Sequence, residues 1–509
     1  MSENFRNKPL KHENHKKPMT RRDFLAQGFI SGCAAVTVPS LMGLLAGTGR
    51  ANATTHNCGL GLVATNKIPF ISFDLAGGAN IAGSNVMVGG AGGQLDFLPA
   101  DGYQKLGLPA DMIPQLPGQL NTDLGLAFHT DSAMLRGILS KTSPTTQANV
   151  NGAIVCARSE NDTGNNPHNP IYGINKAGAQ GDLVSLVGTR NSNSGGRSQA
   201  PANMIDPTVR PTRIVSAKDA MGLVDTGKLV DLVNQQDAAR VMQSIERISA
   251  LKLDKLTEAA EIKELVRCGY VQSVDLITRY GNPDALNANA DIDLVGAASS
   301  IFTSEDLANE NLEKVASIAK LVINGFAGAG TISIGGYDYH DSTRATGELK
   351  DFLAGQAIGA TIEYAARKNQ PVMIYVFSDG SVASNGELDN SADGRGKGIW
   401  KGDNSSTSSV FFLVYDPNGQ PQLRSPTSQQ IGFFRPSGSL ETAATPASNN
   451  VGLLAESIVL NYLALHGEVG RLSEVLPTHG LGSAAAIDSL LAFQPIVQVP
   501  PQSLVQKII

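Results

Sequence analysis

The sequence predicts an α/β protein built on a mainly parallel sheet that is flanked by helices. Short apolar runs of strand length alternate along the chain with segments whose apolar residues recur at helical spacing. Parallel strands need helical crossovers between them, so this alternation favours a parallel sheet. Polar loops rich in Gly, Asn and Ser follow several of the runs, as is typical of buried strands. The predicted strands cover residues 69–76, 153–157, 183–187, 331–334, 372–377 and 410–415.

A mostly helical insertion is predicted over residues 218–330. A later helix in this region is expected to begin at the cap Ser304 and to end at Asn324 and Gly325. We expect the apolar faces of these helices to lie in the core of a single domain over residues 54–509. Earlier in the insertion, the residues at helical spacing are Val241, Met242, Ile245, Ile248, Ile262, Leu265 and Val266.

Residues 1–53 are predicted to be a twin-arginine signal peptide. The run TRRDFL at residues 20–25 precedes a moderately apolar stretch, and residues 51–53 (ANA) offer a small-x-small cleavage site. An uncleaved membrane anchor and lipidation of Cys33 are the alternatives. The signal predicts export through the twin-arginine translocase to the periplasm or the medium, with no stable membrane anchor on the mature protein.

Charge argues against a nucleic-acid-binding protein. The chain of 509 residues has a net charge of -6, but residues 1–53 hold eight Lys and Arg against three acids. The other 456 residues hold 32 Lys and Arg against 43 acids, a net charge of about -11. No basic stripe interleaved with aromatic residues is present, so no nucleic-acid partner is expected. The sequence does not indicate an oligomeric state.

The cysteine and glycine motifs exclude several cofactors. After the predicted signal peptide the chain has Cys58, Cys156 and Cys268, which allow at most one disulfide. Without a C-x-x-C or C-x-x-C-H motif, neither an iron–sulfur cluster nor c-type haem is expected. The Gly-rich run at residues 89–93 lacks both the G-x-G-x-x-G pattern and the Lys-Ser/Thr pair of a P-loop, so no nucleotide cofactor is expected.

Asp338 and His340 are the leading candidates for metal ligation. They stand two residues apart on a loop that begins with two glycines after the strand at 331–334, and they can face one divalent cation. Asp74 lies on the first strand and Asp379 follows the strand at 372–377. Because carboxyl ends of parallel strands meet at one edge of a sheet, all four side chains can converge there. The alternative is structural, with a loop Asp that hydrogen-bonds a His.

Other polar residues extend the candidate site. His129 and His168 lie in polar loops and are further candidates, whereas His466 ends an apolar helical stretch and is predicted to be structural. Three polar segments are too long for simple turns, and they are predicted to form either a substrate rim or mobile loops. They cover residues 158–170, 190–212 and 380–409.

The order of these motifs resembles an exported bacterial family, domain-of-unknown-function family 1501, which is distantly similar to sulfatases and alkaline phosphatases. Residues 335–340 (GGYDYH) match its G-G-W-D-T-H motif, and residues 377–380 (FSDG) match its F-S-E-F-G motif. Residues 77–84 (GGANIAGS) match its G-G-A-D-G-L-N-T loop, and residues 128–135 match its L-H-P-A-L segment. Its N-G and G-T-D-H-G elements are matched by residues 385–386 and 402–405.

The resemblance implies an alkaline-phosphatase-like fold in which strand-end Asp and His residues hold metals and a Ser or Thr attacks phosphorus or sulfur. Asn80 stands where the family has Asp, and Asn404 stands where it has His. These departures remove a charge and an imidazole, which lowers the expected metal affinity and leaves Zn, Mn or Ca as candidate ions. The implied metal ligands are Asp338, His340, Asp379 and Asp403, and the implied nucleophile is Ser84.

Two hypotheses of function follow. The first is an exported, divalent-metal-dependent hydrolase of phosphate or sulfate esters with a degenerate site, and Asp338, His340 and Asp379 favour it. The second is a non-catalytic periplasmic or surface protein that uses the same fold for binding or assembly. Asn80, Asn404 and the small number of histidines favour the second hypothesis.

Overall fold

The computed structural model describes residues 67–160, 166–224, 237, 240–241, 243–245, 247–248, 283–296, 301–340 and 342–497. The chain divides into a unit of residues 1–45 and 224–282 and a second unit of residues 46–223 and 283–509. Of the first unit, the structure describes Val224 and helical positions between 237 and 248. The predicted signal peptide, the predicted helix through 262–266, Cys58 and Cys268 lie outside the described residues. The second unit contains the central sheet.

An eight-stranded mixed sheet forms the centre of this unit, with the order β12-β4-β11-β8-β1-β7-β5-β6. A short antiparallel hairpin of β9 and β10 and a small pair of β2 and β3 lie outside it. The strands are β1 Phe70–Ala76, β2 Leu120–Asn121, β3 Phe128–His129, β4 Val150–Val155, β5 Val184–Gly188, β6 Thr212–Arg213, β7 Ala327–Gly335, β8 Val372–Phe377, β9 Val382–Asp389, β10 Lys397–Asp403, β11 Val410–Tyr415 and β12 Gln430–Ile431.

Five adjacent strands of the sheet run parallel, which confirms the predicted α/β class. β1 pairs in parallel with β7 and β8, and β5 pairs in parallel with β6 and β7. β11 is antiparallel to both β8 and β4. All six predicted strands are present, as β1, β4, β5, β7, β8 and β11.

Helices cover the sheet on both faces. The described α-helices are α1 Ala100–Lys105, α2 Ala133–Lys141, α3 Pro144–Ala148, α4 Ile171–Lys176, α5 Ala217–Gly222, α6 Ile292–Val295, α7 Ser304–Ala308, α8 Glu310–Ile323, α9 Ala345–Arg367, α10 Val451–Leu465, α11 Leu472–Val475 and α12 Ala484–Ser489. On one face, Met373, Tyr375 and Phe377 of β8 share a buried cluster with α4 and α10. On the other face, Gly330 of β7 packs against Ile318 of α8. A sheet buried on both faces explains why its strands read as continuous apolar runs.

The helix predicted from Ser304 to Asn324 is instead two helices, α7 and α8. Thr303, not Ser304, caps α7, because its hydroxyl accepts from the N–H of Asp306 (3.0 Å) while the Asp306 carboxylate accepts from the N–H of Thr303 (2.9 Å). Asn309 then has extended backbone and caps α8, which breaks the predicted helix in two.

The polar segment 380–409 is not only loop, because it contains the β9–β10 hairpin. Its strands are rich in Gly, Asn and Ser and have two register irregularities. Their sequence therefore shows neither alternating apolar and polar residues nor a continuous apolar run, the patterns that predict strands. This hairpin delivers Asp403 to the carboxyl end of the sheet.

Within the described residues, no helix has the length and apolarity to cross a membrane. Cys156, at the end of β4, is a buried free thiol.

Helices α2 and α9 are in backbone contact through glycines. A methyl group on Gly355 of α9 would lie 2.0 Å from the carbonyl oxygen of Met134, and one on Gly137 of α2 would lie 2.2 Å from the carbonyl oxygen of Phe352. No side chain fits at either position without separating the helices.

We predict that Gly355→Ala lowers the free energy of unfolding by about 1–3 kcal/mol, because the added methyl group overlaps the α2 backbone. Gly222→Ala is the matched control, since a methyl group there meets no atom within 4 Å and Gly222 lies at the end of α5. The control is expected to raise stability by about 0.4–1 kcal/mol through the unfolded chain. Urea denaturation measures both, and equal effects of the two substitutions would contradict the close packing of α2 and α9.

Candidate functional site

The loops that leave β1, β7 and β8 meet at the carboxyl edge of the sheet, as predicted for parallel strands. Gly77, which follows β1 with a φ of 135°, lies so close to the loop after β7 that a methyl group on it would be 2.4 Å from the backbone nitrogen of Asp338. The Asp379 carboxylate accepts from the N–H of Gly77 (2.8 Å), and the hydroxyl of Ser378 accepts from Gly78 and Ala79 (3.1 and 2.9 Å). The end of β8 therefore fixes the loop after β1 in place.

Asp338, His340 and Asp403 form the candidate metal site. One ligand atom from each lies within 4.8 Å of the other two. The Nε2 atom of His340 is 2.7 Å from a carboxylate oxygen of Asp338 and 3.7 Å from one of Asp403. Four ligands around a zinc ion at about 2.1 Å stand about 3.4 Å apart, so modest side-chain rotation is enough to hold an ion. The three side chains are 54%, 37% and 56% exposed, which leaves the site open to solvent.

The local sequence Tyr337-Asp338-Tyr339-His340 explains the direction of these ligands. Tyr337 and Tyr339 are fully buried, whereas Asp338 and His340 are exposed in part. In extended backbone successive side chains point to opposite sides, so burying both tyrosines directs both ligands outward. The Tyr339 hydroxyl accepts from the N–H of Asn80 (2.9 Å) and donates to the Asp351 carboxylate (3.2 Å), which holds the loop to its neighbours.

Trp400 of β10 joins the loop of Asp338 and His340 to the strand of Asp403. Its backbone pairs with the loop, because Ser342 N–H donates to the Trp400 carbonyl (3.1 Å) and Trp400 N–H donates to the Thr343 carbonyl (3.2 Å). The buried indole stacks on the ring of Tyr339 (6.4 Å between centroids), and the Arg344 guanidinium lies over it at 4.5 Å.

A buried ion network fixes the same two segments. Glu348 of α9 lies 2.7 Å from Arg344, 2.9 Å from Lys397 of β10 and 3.0 Å from Arg136 of α2. Burial opposes ionisation of Glu348, but the charges of Arg344 and Lys397 outweigh it and hold the pKa of this carboxyl below its usual range. Removing Glu348 would take this carboxylate away from the buried cations of Arg344 and Lys397, so the network constrains where β10 lies.

Asp74 and Asp379 form a separate buried pair. The Asp74 carboxylate accepts from the N–H groups of Arg197 (2.6 Å) and Ser198 (2.9 Å) and from the hydroxyl of Ser198 (3.1 Å). Burial raises the pKa of Asp74 to about 6 against these donors, and the charge of Asp379 adds to the rise. The structure does not group either residue with Asp338, His340 and Asp403. Metal ligation by Asp74, expected from its strand position, and by Asp379, also implied by the resemblance, therefore stays a prediction.

Ser84 and Asn80 lie together in the buried loop after β1. The Ser84 hydroxyl donates to the side-chain oxygen of Asn80 (3.4 Å), and the Asn80 amide donates to the carbonyl of Val382 (3.2 Å). Asn404, beside Asp403, has its side-chain oxygen bound by the N–H and hydroxyl of Ser406 (3.0 and 2.7 Å). These contacts give all three residues structural roles, while the nucleophilic role predicted for Ser84 is untested.

The candidate histidines His129 and His168 are both buried, and neither is grouped with Asp338, His340 and Asp403. His129 bonds the carbonyl of Met112 (2.8 Å) and the N–H of Asp131 (3.1 Å), and burial lowers its pKa to about 4. His168 stacks on Phe377 at 5.9 Å, and neither ring nitrogen has a hydrogen-bond partner among the described residues. Burial lowers the pKa of His168 to about 3. The described structure thus supports packing roles for both.

The structural role predicted for His466 agrees with its contacts. It accepts from the N–H of Ile68 (3.0 Å) and bonds the carbonyl of Tyr462 (2.7 Å), which joins α10 to the start of β1.

Sequence reasoning missed the residues that position the ligands, namely Tyr337, Tyr339, Arg344, Glu348, Lys397 and Trp400. Two signals were available. Aromatic residues alternate with the ligands in residues 337–340, and Trp400 is the single tryptophan of the chain, three residues before Asp403. The ion network had no such signal, because its members come from distant segments.

Chemically, the site offers two carboxylates and one imidazole, a mixed donor set that Zn and Mn accept. Three protein ligands leave coordination positions for water or a substrate oxygen.

Comparison of the chain with protein-family models and with curated proteins finds no match.

We predict that His168→Phe makes the free energy of unfolding depend less steeply on pH below about pH 6.5. The unfolded chain takes up a proton at His168 below about pH 6.5, whereas the folded protein, with the His168 pKa lowered to about 3, does not. Wild-type stability therefore falls as the pH falls from about 6.5 to 3. Without this proton, the slope should be shallower by about 1.4 kcal/mol per pH unit between about pH 4 and 6.

His168→Gln is the matched control, because it also removes the proton but buries an unpartnered amide. It should flatten the curve in the same way while lowering stability at pH 7, whereas His168→Phe should preserve or raise stability there. Urea denaturation across the pH range measures both variants. An unchanged acid slope in both would contradict a buried, neutral His168.

Proposed function

We propose that this protein is an exported, divalent-metal-dependent hydrolase of phosphate or sulfate esters with a single metal site at Asp338, His340 and Asp403. The observation that carries the proposal is the convergence of these three ligand atoms within 4.8 Å at the carboxyl edge of the sheet. Ligands of α/β proteins bind at this edge, and three accessible ligands with open positions suit a catalytic ion better than a closed structural one.

The resemblance to alkaline-phosphatase-like proteins supplies the substrate class, and the predicted twin-arginine signal supplies the export route. An ion at this site would act as a Lewis acid on the ester and would activate water. The protein would fix the relative positions of the three ligands, because the buried Tyr339 and Trp400 hold the two ligand-bearing segments together. The partial exposure of Asp338 and Asp403 keeps the site accessible to an ester in solution.

The attacking group distinguishes two versions of this reaction. The resemblance implies Ser84, whose hydroxyl is buried and donates to Asn80. Water would reach the exposed ligands without rearrangement of that loop. We therefore favour water, in which case its oxygen bonds to phosphorus or sulfur as the bond to the ester oxygen breaks. The attacking water gives up one proton to solvent, and the ester oxygen takes one up from solvent and leaves as an alcohol.

The first test is metal binding. Elemental analysis and calorimetric titration of the purified protein with Zn²⁺, Mn²⁺ and Ca²⁺ should show one ion per chain. Asp338→Asn/His340→Gln should weaken binding by more than about 100-fold, since loss of an outer-shell partner alone costs about 10–100-fold.

The matched control for metal binding is Asp101→Asn/His479→Gln, which changes the same residue types away from the site and should leave the affinity unchanged. Absence of stoichiometric metal, or an equal loss in the control, would refute the site. A structural Asp338–His340 hydrogen bond would then be the better interpretation of the 2.7 Å contact.

The second test is hydrolysis of para-nitrophenyl phosphate and para-nitrophenyl sulfate. Turnover should require the added ion and should be lost in Asp338→Asn/His340→Gln. Ser84→Ala should retain most of the turnover if water attacks. Loss of turnover in Ser84→Ala, with metal still bound, would instead assign the nucleophile to Ser84.

A second candidate function is binding without catalysis. The burial of Ser84 and the use of Asp74 and Asp379 as acceptors for backbone N–H groups favour it, because these side chains are engaged in holding loops. Stoichiometric metal with no turnover of either ester would support this second function over the first.

A further inference from the structure

A cleft of about 730 Å³ lies at the carboxyl ends of β5 and β6, the edge of the sheet that also carries the candidate metal site. Its walls come from the loop after β5, from the segment after β6 and from the first turn of α8. This volume is within the range of small-molecule sites, and the carboxyl edge of a parallel sheet is where such sites occur.

The cleft carries an excess of positive charge. Arg190, Arg197, Arg213 and Lys314 line it, against the two carboxylates of Glu310 and Glu313. In the described part of the chain, no carboxylate lies within ion-pairing distance of Arg190, Arg213 or Lys314. The protein as a whole is acidic, with a net charge of -6, so local basic charge is not a general feature of its surface.

The loop that carries these charges is rigidly held. A methyl group on Gly196 would lie 2.6 Å from the Asp74 carboxylate, and the N–H groups of Arg197 and Ser198 donate to that same carboxylate. Gly188 at the end of β5 packs directly on Gly195, because a methyl group on Gly188 would lie 2.3 Å from the Cα atom of Gly195. The segment 190–212, predicted as substrate rim or mobile loop, is thus anchored here by β1 and β5, which preorganises the wall of the cleft.

Arg197 connects the cleft to the candidate metal site. Its Nε atom lies 3.7 Å from the Asp379 carboxylate, which in turn accepts from the N–H of Gly77. Gly77 packs against the backbone of Asp338. The wall of the cleft and the loop of the metal ligands therefore rest on the same carboxylate.

We propose that this cleft binds a small molecule through a tetrahedral dianionic oxyanion, a phosphate or sulfate group, with Arg190 and Arg213 as its principal ligands. The planar guanidinium donates two parallel hydrogen bonds to such oxyanions, and its charge persists at all physiological pH values. Two cations free of carboxylate partners match the two negative charges of the ligand. The proposal concerns binding in the cleft and does not depend on metal or on hydrolysis.

Calorimetric titration of the metal-free protein tests this proposal. A chelator first removes any bound metal, and dialysis then removes the chelator. Inorganic phosphate, inorganic sulfate and malonate are titrated separately at low ionic strength. We expect saturable binding of phosphate, sulfate or both, and weaker binding of malonate, whose charges are spread over two carboxylates. The phosphate and sulfate arms show which oxyanion the cleft prefers.

Arg190→Gln/Arg213→Gln should raise the Kd by at least tenfold. The matched control is Arg158→Gln/Lys176→Gln, which removes the same charge outside the cleft and should leave the Kd unchanged. Arg190 and Arg213 are exposed, whereas Arg158 and Lys176 are half-buried, so circular dichroism checks that both variants fold. No saturable binding to the wild type, tighter binding of malonate, or an equal loss in the control would overturn the proposal. Retained oxyanion binding alongside failed metal binding would separate this inference from the proposed function.

Discussion

The position of Tyr339 between Asp338 and His340 is the constraint on which the candidate site depends. Its ring is buried against Trp400, and its hydroxyl links the loop after β1 to α9 through Asn80 and Asp351. Burial raises the pKa of the Asp351 carboxyl to about 7, so its charged form is costly. The hydrogen bond from the Tyr339 hydroxyl stabilises that charged form. Anchoring the tyrosine inward directs the flanking ligands to solvent.

A second constraint is the use of acids as acceptors for backbone N–H groups at the sheet edge. Asp379 holds the loop after β1, and Asp74 holds the loop at residues 190–198. Tight turns at this edge leave N–H groups without partners in the sheet, and a carboxylate satisfies several of them at once. Asp379 thereby fixes the loop that packs against the candidate metal ligands, and Asp74 fixes the loop that forms a wall of the basic cleft.

Much of the fold was predictable, because strands buried on both faces leave a clear apolar signal. β1, β7 and β8 read as apolar runs followed by Gly or polar residues. The β9–β10 hairpin was not predicted, since its polar strands lie outside the core sheet and have no such pattern. The break between α7 and α8 was missed because side-chain capping at Thr303 and Asn309 competes with helix continuation.

The sheet, its parallel core and the pair Asp338 and His340 could be predicted from local patterns along the chain, because strand burial and a two-residue spacing are local properties. Long-range contacts select the third candidate ligand. Asp403 joins the pair through hairpin pairing and the Trp400 stack, whereas Asp74, within β1, and Asp379, after β8, accept from backbone N–H groups. Which carboxylate reaches the ligand pair depends on long-range contacts and burial, and spacing along the chain does not encode them.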